Sequence, residues 1–383
     1  MPPKIIDLNR AEDPRDVVHR AVQALAEGKL VAFPTETVYG VAASALREDA
    51  VEKLVEAKGR AANNPLTLAV KSADDALDFV PAMSNLGRRL ARRCWPGPVT
   101  LVMDNDHPES AVRQLSPLVQ QMVAPNGSIG LRVPAHPLIL SVLRLIAGPL
   151  ALTSANQSGQ PDAVTCDEVV ESLGESLDLV LDDGRSKFAQ PSSVVHVADN
   201  HLKILRSGVI TEANLKRLSS YMVLLVCTGN TCRSPMAEIL AKKRIADKIG
   251  CSLEELEDRG VLVMSAGIAA MSGGRSTPEA VRACKERDLD LTQHESQPLS
   301  ERLLRHADCI LTMTRGHRDA ILSRWPELAQ RTQLLCRDGS EVSDPIGGPI
   351  ELYRQCADQI DSQLEAWLPD FDLEEISTEN PGE

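Results

Sequence analysis

The chain has 383 residues, of which 43% are hydrophobic and 25% charged, with 41 Lys and Arg against 54 Asp and Glu. That is ordinary globular composition, and the length suits two or three domains. The formal charge of −13 argues against a protein that coats nucleic acid non-specifically, because such binding runs on clustered basic charge.

No apolar run approaches the roughly 18 residues of a membrane span, so no membrane partner is expected. The N-terminus MPPKIIDLNR lacks the apolar stretch of a signal peptide. The nine cysteines are odd in number and show no zinc-ligand spacing. A reducing, cytoplasmic setting is expected, with no metal site. Six acids and no base fall in the last fourteen residues. This end, 370–383, reads as an acidic disordered tail.

In chain order, residues 14–27 and 48–58 read as helices. Strands are expected at 29–33, 66–70, 99–103, 129–133, 150–153, 179–181, 193–197 and 202–205. This first domain, 1–220, is predicted as a twisted mixed α/β sheet of at least seven strands. The polar segment Thr211–Ser220 marks the joint. The second domain, 221–369, alternates strands at 222–227, 261–264, 308–312 and 332–335 with helices near 235–249, 276–287, 315–323 and 349–367. That order predicts a doubly wound four-stranded parallel sheet.

Short polar motifs gather in the first domain. Thr35 follows a strand, Lys58-Gly-Arg60 pairs two cations, and Trp95-Pro-Gly-Pro98 is a rigid turn. Arg132, Ser154-Ala-Asn156, Ser192 and Arg206-Ser-Gly208 come later. Lys58, Arg60 and Arg206 suit a triphosphate. Ser154 and Asn156 suit a ribose or base. Thr35, Arg132 and Ser192 suit a zwitterionic amino acid. There is no Walker loop.

Together and in order, these motifs resemble the YrdC-like family of threonylcarbamoyl-AMP synthases over residues 10–215. The resemblance implies a reaction of L-threonine, bicarbonate and ATP, with Mg²⁺ accompanying the nucleotide. Its products are L-threonylcarbamoyladenylate and pyrophosphate. The adenylate feeds N6-threonylcarbamoylation of adenosine 37 in tRNA, so the tRNA-modification machinery is an indirect partner. The sequence departs from longer family members at Ala69, where they often carry His, and at Pro191-Ser192-Ser193. A different reading of the first domain is a non-catalytic nucleotide- or RNA-binding module.

The second domain opens with Cys227-Thr-Gly-Asn-Thr-Cys-Arg233-Ser234-Pro235 after its first strand. Gly229 and Asn230 tolerate unusual backbone angles, so successive N–H groups can turn inward as an anion nest. A helix start near Pro235 points at the same spot. Arg233 can clamp phosphate oxygens in bidentate fashion. These fields favour a Cys227 thiolate nucleophile, and Ser234 can hydrogen-bond its sulfur. Asp344-Pro345, in a turn before the last helix, is a candidate general acid. Cys232 reads either as packing for the loop or as a partner for a protective disulfide.

This half resembles the low-molecular-weight protein tyrosine phosphatases from Met222 to about Trp367. The resemblance implies Cys227 as nucleophile, Arg233 as phosphate binder and Asp344 as acid then base. It implies loop support from Thr228, Gly229, Asn230, Thr231, Cys232, Ser234 and Ser265, and no cofactor. The bacterial protein-arginine phosphatases of this family look closer still, through Thr231 and the Gly-Gly after Asp344-Pro345. Ile346-Gly347-Gly348 offers no ring to stack on phosphotyrosine. Thr231 can crowd a phenyl ring, so phosphoarginine proteins are favoured over phosphotyrosine proteins.

Overall fold

The computed structural model describes residues 2–59 and 65–374. Among these, the chain divides after Leu218 into two compact units. The expected polar joint is helical over Glu212–Ser219.

The first unit is one mixed sheet of ten strands. They are β1 (Lys4–Asp7), β2 (Val31–Phe33), β3 (Gly40–Ser44), β4 (Thr67–Ala69), β5 (Val99–Asp104) and β6 (Ser128–Arg132). They continue with β7 (Leu150–Ser154), β8 (Leu179–Asp182), β9 (Ser193–Ala198) and β10 (His201–Arg206). The spatial order is β1-β8-β2-β3-β7-β4-β6-β5-β9-β10. Pairing is parallel for β4 with β6 and β5 with β9, and antiparallel for β3 with β7 and β9 with β10. Two helices, Pro14–Ala26 and Pro137–Leu145, bury Val17, Ala21, Leu25, Ile139 and Val142 against β2, β7 and β8. The first is capped by Asp13, whose carboxylate accepts the Arg15 N–H at 2.8 Å.

The second unit holds β11 (Tyr221–Cys227), β12 (Val261–Gly267), β13 (Cys309–Thr312) and β14 (Thr332–Leu334) in the order β12-β11-β13-β14, all parallel. Every residue of β11 is buried, as a central parallel strand covered on both faces requires. Tyr221, Val223, Leu225 and Cys227 face helices Arg233–Ile249, Pro278–Lys285 and Ile350–Trp367. Met222, Leu224 and Val226 face Glu301–His306 and Arg315–Arg324 on the other side. The alternation of side chains along one strand thus builds two cores.

Several boundaries differ from expectation. The helix after the Cys227 loop begins at Arg233, two residues before Pro235. β1, β3 and the helix Glu301–His306 were not expected from sequence. The second unit also runs past 369. Phe371 is 6% exposed, with its ring 6.1 Å from Tyr221 and 6.5 Å from Trp367. The acidic end from 375 onward lies outside the described residues.

Candidate functional sites

In the first unit, a helix over Glu48–Lys58 ends at Gly59, so Lys58 is its last residue. Lys58 is buried and Nζ donates to the Ser154 carbonyl at 2.7 Å, to the Asn156 carbonyl, and to Asn156 Oδ1 at 3.3 Å. Residues 96–98 positions apart in sequence therefore meet at the end of β7. Asn156 Nδ2 donates to the Gln160 carbonyl at 2.6 Å, which closes the turn after the strand.

On the other side, Arg206 ends β10 and reaches Ser192, the residue before β9. Its Nη2 donates to the Ser192 carbonyl at 2.9 Å and to Ser192 Oγ at 3.0 Å. Gly208 lies against the same backbone, where an added Cβ would come within 2.3 Å of the Pro191 carbonyl and 2.5 Å of Ser193 N. The glycine of the Arg-Ser-Gly motif is a close-approach residue. Arg206 and Ser192 were expected to hold different ligands, yet they hold each other.

Thr35 Oγ1 donates to the Val38 carbonyl at 2.6 Å and accepts from Thr37 N–H at 3.2 Å. Arg132 is buried. Its Nη2 donates to Glu36 Oε1 at 2.6 Å and to Thr37 Oγ1 at 3.0 Å, and its Nε donates to the Gly97 carbonyl at 3.2 Å. Arg132 was expected to help hold a zwitterionic amino acid. Glu36 already neutralises Arg132, and sequence reading did not single out Glu36.

Thr35, Lys58, Arg132, Ser154, Asn156, Ser192 and Arg206 all line one cavity of about 490 Å³. Every expected residue of this site within the described positions is present in that wall. Arg60 lies outside the described residues. Thr67, Thr100 and Ser128 add hydroxyls to the floor, and Leu152, Val194 and Leu205 add apolar surface. Such a cavity can seat a polar ligand with one apolar or planar part. Asp162 is the carboxylate in its lining. No group of three metal-ligating side chains occurs among the described residues.

In the second unit, β11 ends at Cys227 and the loop turns back into the helix Arg233–Ile249. That helix has Cys232 at its N-cap, with no side-chain cap hydrogen bond from it. The residue in the left-handed region is Asn230, with φ 54°, and Gly229 has no positive φ. Asn230 adds what Gly cannot. Its Nδ2 donates to Ser234 Oγ at 2.9 Å and Ser265 Oγ at 2.8 Å, and its Oδ1 accepts from Gln297 N–H at 2.8 Å. Ser265 Oγ in turn donates to Glu238 Oε2 at 2.7 Å. His294 Nε2 lies 3.0 Å from the Asn230 carbonyl. Gly267 at the end of β12 backs the loop, since a Cβ there would meet the Thr228 carbonyl at 2.5 Å.

Cys227 Sγ sits inside this frame. It lies 2.9 Å from Ser234 Oγ and accepts from Asn230 N–H at 3.2 Å. Both contacts suit a thiolate, which accepts hydrogen bonds better than a thiol. Arg233 is buried, and its Nη2 pairs with Asp344 Oδ2 and donates to Thr228 Oγ1 at 3.4 Å. Asp344 is 43% exposed at the mouth, and Ile346 beside it is 64% exposed. Cys227, Arg233 and Asp344, expected to act together, are thus joined through one guanidinium and one loop. Cys232 is buried, with Thr277 Oγ1 at 3.5 Å and Tyr353 OH at 3.9 Å, so it packs the loop's underside. Thr231 anchors the next segment through its carbonyl, which accepts from Thr277 N–H at 2.9 Å.

Three residues here escaped sequence reading: His294, Gln297 and His317. None belongs to a local motif, and each reaches the loop only through the fold. His317 Nε2 lies 2.9 Å from Thr228 Oγ1.

A ten-stranded mixed sheet with a polar cavity and a four-stranded parallel sheet with a cysteine anion loop define two enzyme architectures in one chain. Residues 23–208 match the Sua5–YciO–YrdC family, described as telomere recombination. Residues 222–380 match low molecular weight phosphotyrosine protein phosphatase. A threonylcarbamoyl-AMP synthase of Pyrococcus abyssi is 31% identical over 243 residues, covering 60% of this chain and 69% of the relative. A protein-arginine-phosphatase of Bacillus subtilis is 38% identical over 146 residues, covering 37% of this chain and 91% of the relative. A solved structure of P. abyssi Sua5 superposes with a TM-score of 0.50 at 26% identity, over 68% of this chain and 90% of that one. The chain therefore belongs to the threonylcarbamoyl-AMP synthase family through its first unit and to the low-molecular-weight phosphatase family through its second. Among the described residues no helix is long and apolar enough to cross a membrane.

Proposed function

We propose that the chain is a bifunctional enzyme. The first unit joins L-threonine, bicarbonate and ATP into L-threonylcarbamoyladenylate and releases pyrophosphate. The observation that carries this reading is the convergence of Lys58, Ser154, Asn156, Arg132, Ser192 and Arg206 on one cavity. Carboxylated threonine attacks the α-phosphorus, and Lys58, Arg60 and Arg206 offset the charge that passes to pyrophosphate. Thr35, Arg132 and Ser192 orient the amino acid. Mg²⁺ would accompany ATP, and Asp162 is the carboxylate in the lining that would hold it. The adenylate is then a donor for tRNA modification by other proteins.

The second unit hydrolyses phosphorylated protein side chains in two steps. Cys227 attacks phosphorus while Arg233 and the loop amides hold the equatorial oxygens. Asp344 protonates the leaving group and then activates water against the phosphocysteine. Ser234 and Asn230 stabilise the departing sulfur. Phosphoarginine is the favoured substrate, supported by the absence of a ring beside Asp344 and by the named arginine phosphatase relative.

The test uses the full chain. ATP- and threonine-dependent pyrophosphate release is expected, and Lys58→Ala should lower it at least a hundredfold. A chain that binds ATP yet releases no pyrophosphate would make the first unit a binding module instead. Cys227→Ser should abolish phosphatase turnover and leave pyrophosphate release intact. Phosphatase turnover that survives Cys227→Ser would remove the second assignment.

A further inference from the structure

We propose that His317 is a positioning residue that makes Thr228 a hydrogen-bond donor to the phosphoryl group held by the Cys227 loop. The inference rests on the phosphatase reading of that loop. His317 belongs to neither the loop nor the Asp344 turn. It lies in the first turn of the helix Arg315–Arg324, reached through the parallel pairing of β11 with β13. Val226 pairs with Thr312, so Thr228 and Thr314 each lie two residues beyond paired positions. His317 bridges those two hydroxyls. Its Nε2 is 2.9 Å from Thr228 Oγ1 and its Nδ1 is 3.0 Å from Thr314 Oγ1.

Either tautomer satisfies the protein's own contacts, and a bound anion selects between them. A hydroxyl has one proton to give and two lone pairs to receive, and a neutral imidazole has one donor and one acceptor. Thr228 Oγ1 already accepts from Arg233 Nη2 at 3.4 Å. Thr314 Oγ1 already accepts from the His317 backbone N–H at 3.3 Å. If Nε2 carries the ring proton, Thr314 gives its own proton to Nδ1 and Thr228 accepts twice. The Thr228 proton is then free for a bound anion, and each contact in the chain has a donor and an acceptor. In the opposite tautomer the Thr228 proton goes to Nε2. Its lone pairs would then face phosphoryl oxygens, which also only accept.

Burial and exposure agree with this division. His317 is 5% exposed, while Thr228 is exposed at the mouth beside Cys227. Burial, then the neighbouring Arg233, push His317 down to about 4, so the ring carries one proton at neutral pH.

The experiment is a double-mutant cycle in the full chain. It is read by p-nitrophenyl phosphate hydrolysis and, in a Cys227→Ser background, by inorganic phosphate binding. His317→Leu should lower kcat/KM and phosphate affinity each by about tenfold, the weight of a hydrogen bond to a charged group. His317→Gln, whose amide can occupy the Nε2 position as a donor, should recover most of both. In a Thr228→Val background, His317→Leu should change either quantity less than about twofold. Fully additive losses, or no recovery by Gln at matched thermal stability, overturn the proposal. Should His317→Leu fail to fold, the Gln and Thr228→Val chains decide alone: Gln at parental affinity and Val about tenfold weaker support it, and Val at parental affinity overturns it. A parent chain without phosphatase turnover would overturn the underlying reading, and the phosphate cycle still decides whether His317 acts through Thr228.

Discussion

Arg132 Nη2 lies 2.6 Å from Glu36 Oε1, and both side chains are 8% exposed. Glu36 Oε2 also accepts from the Ala135 N–H at 2.9 Å, so the carboxylate ties two segments together. Removing one partner of a buried pair leaves an uncompensated charge. Glu36→Leu should therefore destabilise the first unit by about 3 kcal/mol. Glu36→Leu with Arg132→Met should regain much of that stability without regaining pyrophosphate release. Hydrogen exchange of the β4 and β6 amides, beside a pyrophosphate assay, measures both. A double variant as active as the parent would remove Arg132 from the site.

Asp344 pairs with the guanidinium that is to hold the phosphoryl group. Replacing it should separate two quantities that usually fall together. Asp344→Asn should lower turnover by roughly a hundredfold or more, because leaving-group protonation is lost. The same variant should bind inorganic phosphate more tightly, because a competing anion is gone. Calorimetric titration of the Cys227→Ser chain, with and without Asp344→Asn, checks the second part. Unchanged or weaker affinity would contradict it.

Thr231 stands in the loop with a β-branched hydroxyl side chain. Thr231→Ile is expected to shift the ratio of phosphoarginine to phosphotyrosine turnover towards the aromatic substrate by tenfold or more, a change on the order of 1.4 kcal/mol. Peptides of matched sequence carrying each phosphoresidue report it. Equal rates on both substrates in the parent chain would end the arginine preference.

His317 also sets an acid limit. Its pKa falls from 6.5 to about 4 in the folded chain. The charged groups acting on it are Arg233, which lowers it further, and Asp344 and Glu341, which oppose. Below 6.5 the unfolded chain binds a proton that the folded chain refuses. Stability from this residue is therefore fully present above 6.5 and lost as pH falls towards 4. The loss should reach roughly 2–3 kcal/mol. His317→Gln should flatten that part of the stability profile of the second unit, measured by denaturant midpoints between pH 4 and 7.

Much of this architecture was readable from residues. The apolar run at 222–227 and the strands and helices after it emerged within a few positions of their expected places. The Lys58 and Ser154-x-Asn156 motifs were legible as a set, and the fold brings them into contact. β3 was not legible, because Gly40–Ser44 is buried at every position and shows no alternation. β1 was not legible either, being a four-residue edge strand whose pairing with β8 spans most of the unit. Glu36 lay inside a motif that was quoted, yet nothing local says it faces Arg132 across 96 positions. Residue type marks Asn230 as tolerant of unusual backbone angles, and the family resemblance implies loop support, but neither names its partners. Its geometry shows a residue chosen for its amide, held by three elements at once.

Phe371 packs on Tyr221, which opens β11, and on Trp367, which ends the last long helix. The start of β11 and the end of the last long helix are therefore neighbours. A protein module closed in this way can be lifted out of one gene and spliced behind, or inside, another without disturbing its own sheet. It can also be joined end to end and reopened elsewhere. The fusion of the two units then asks for no shared intermediate: the second unit completes its own four-stranded sheet, with Tyr221 and Phe371 in contact at its edge.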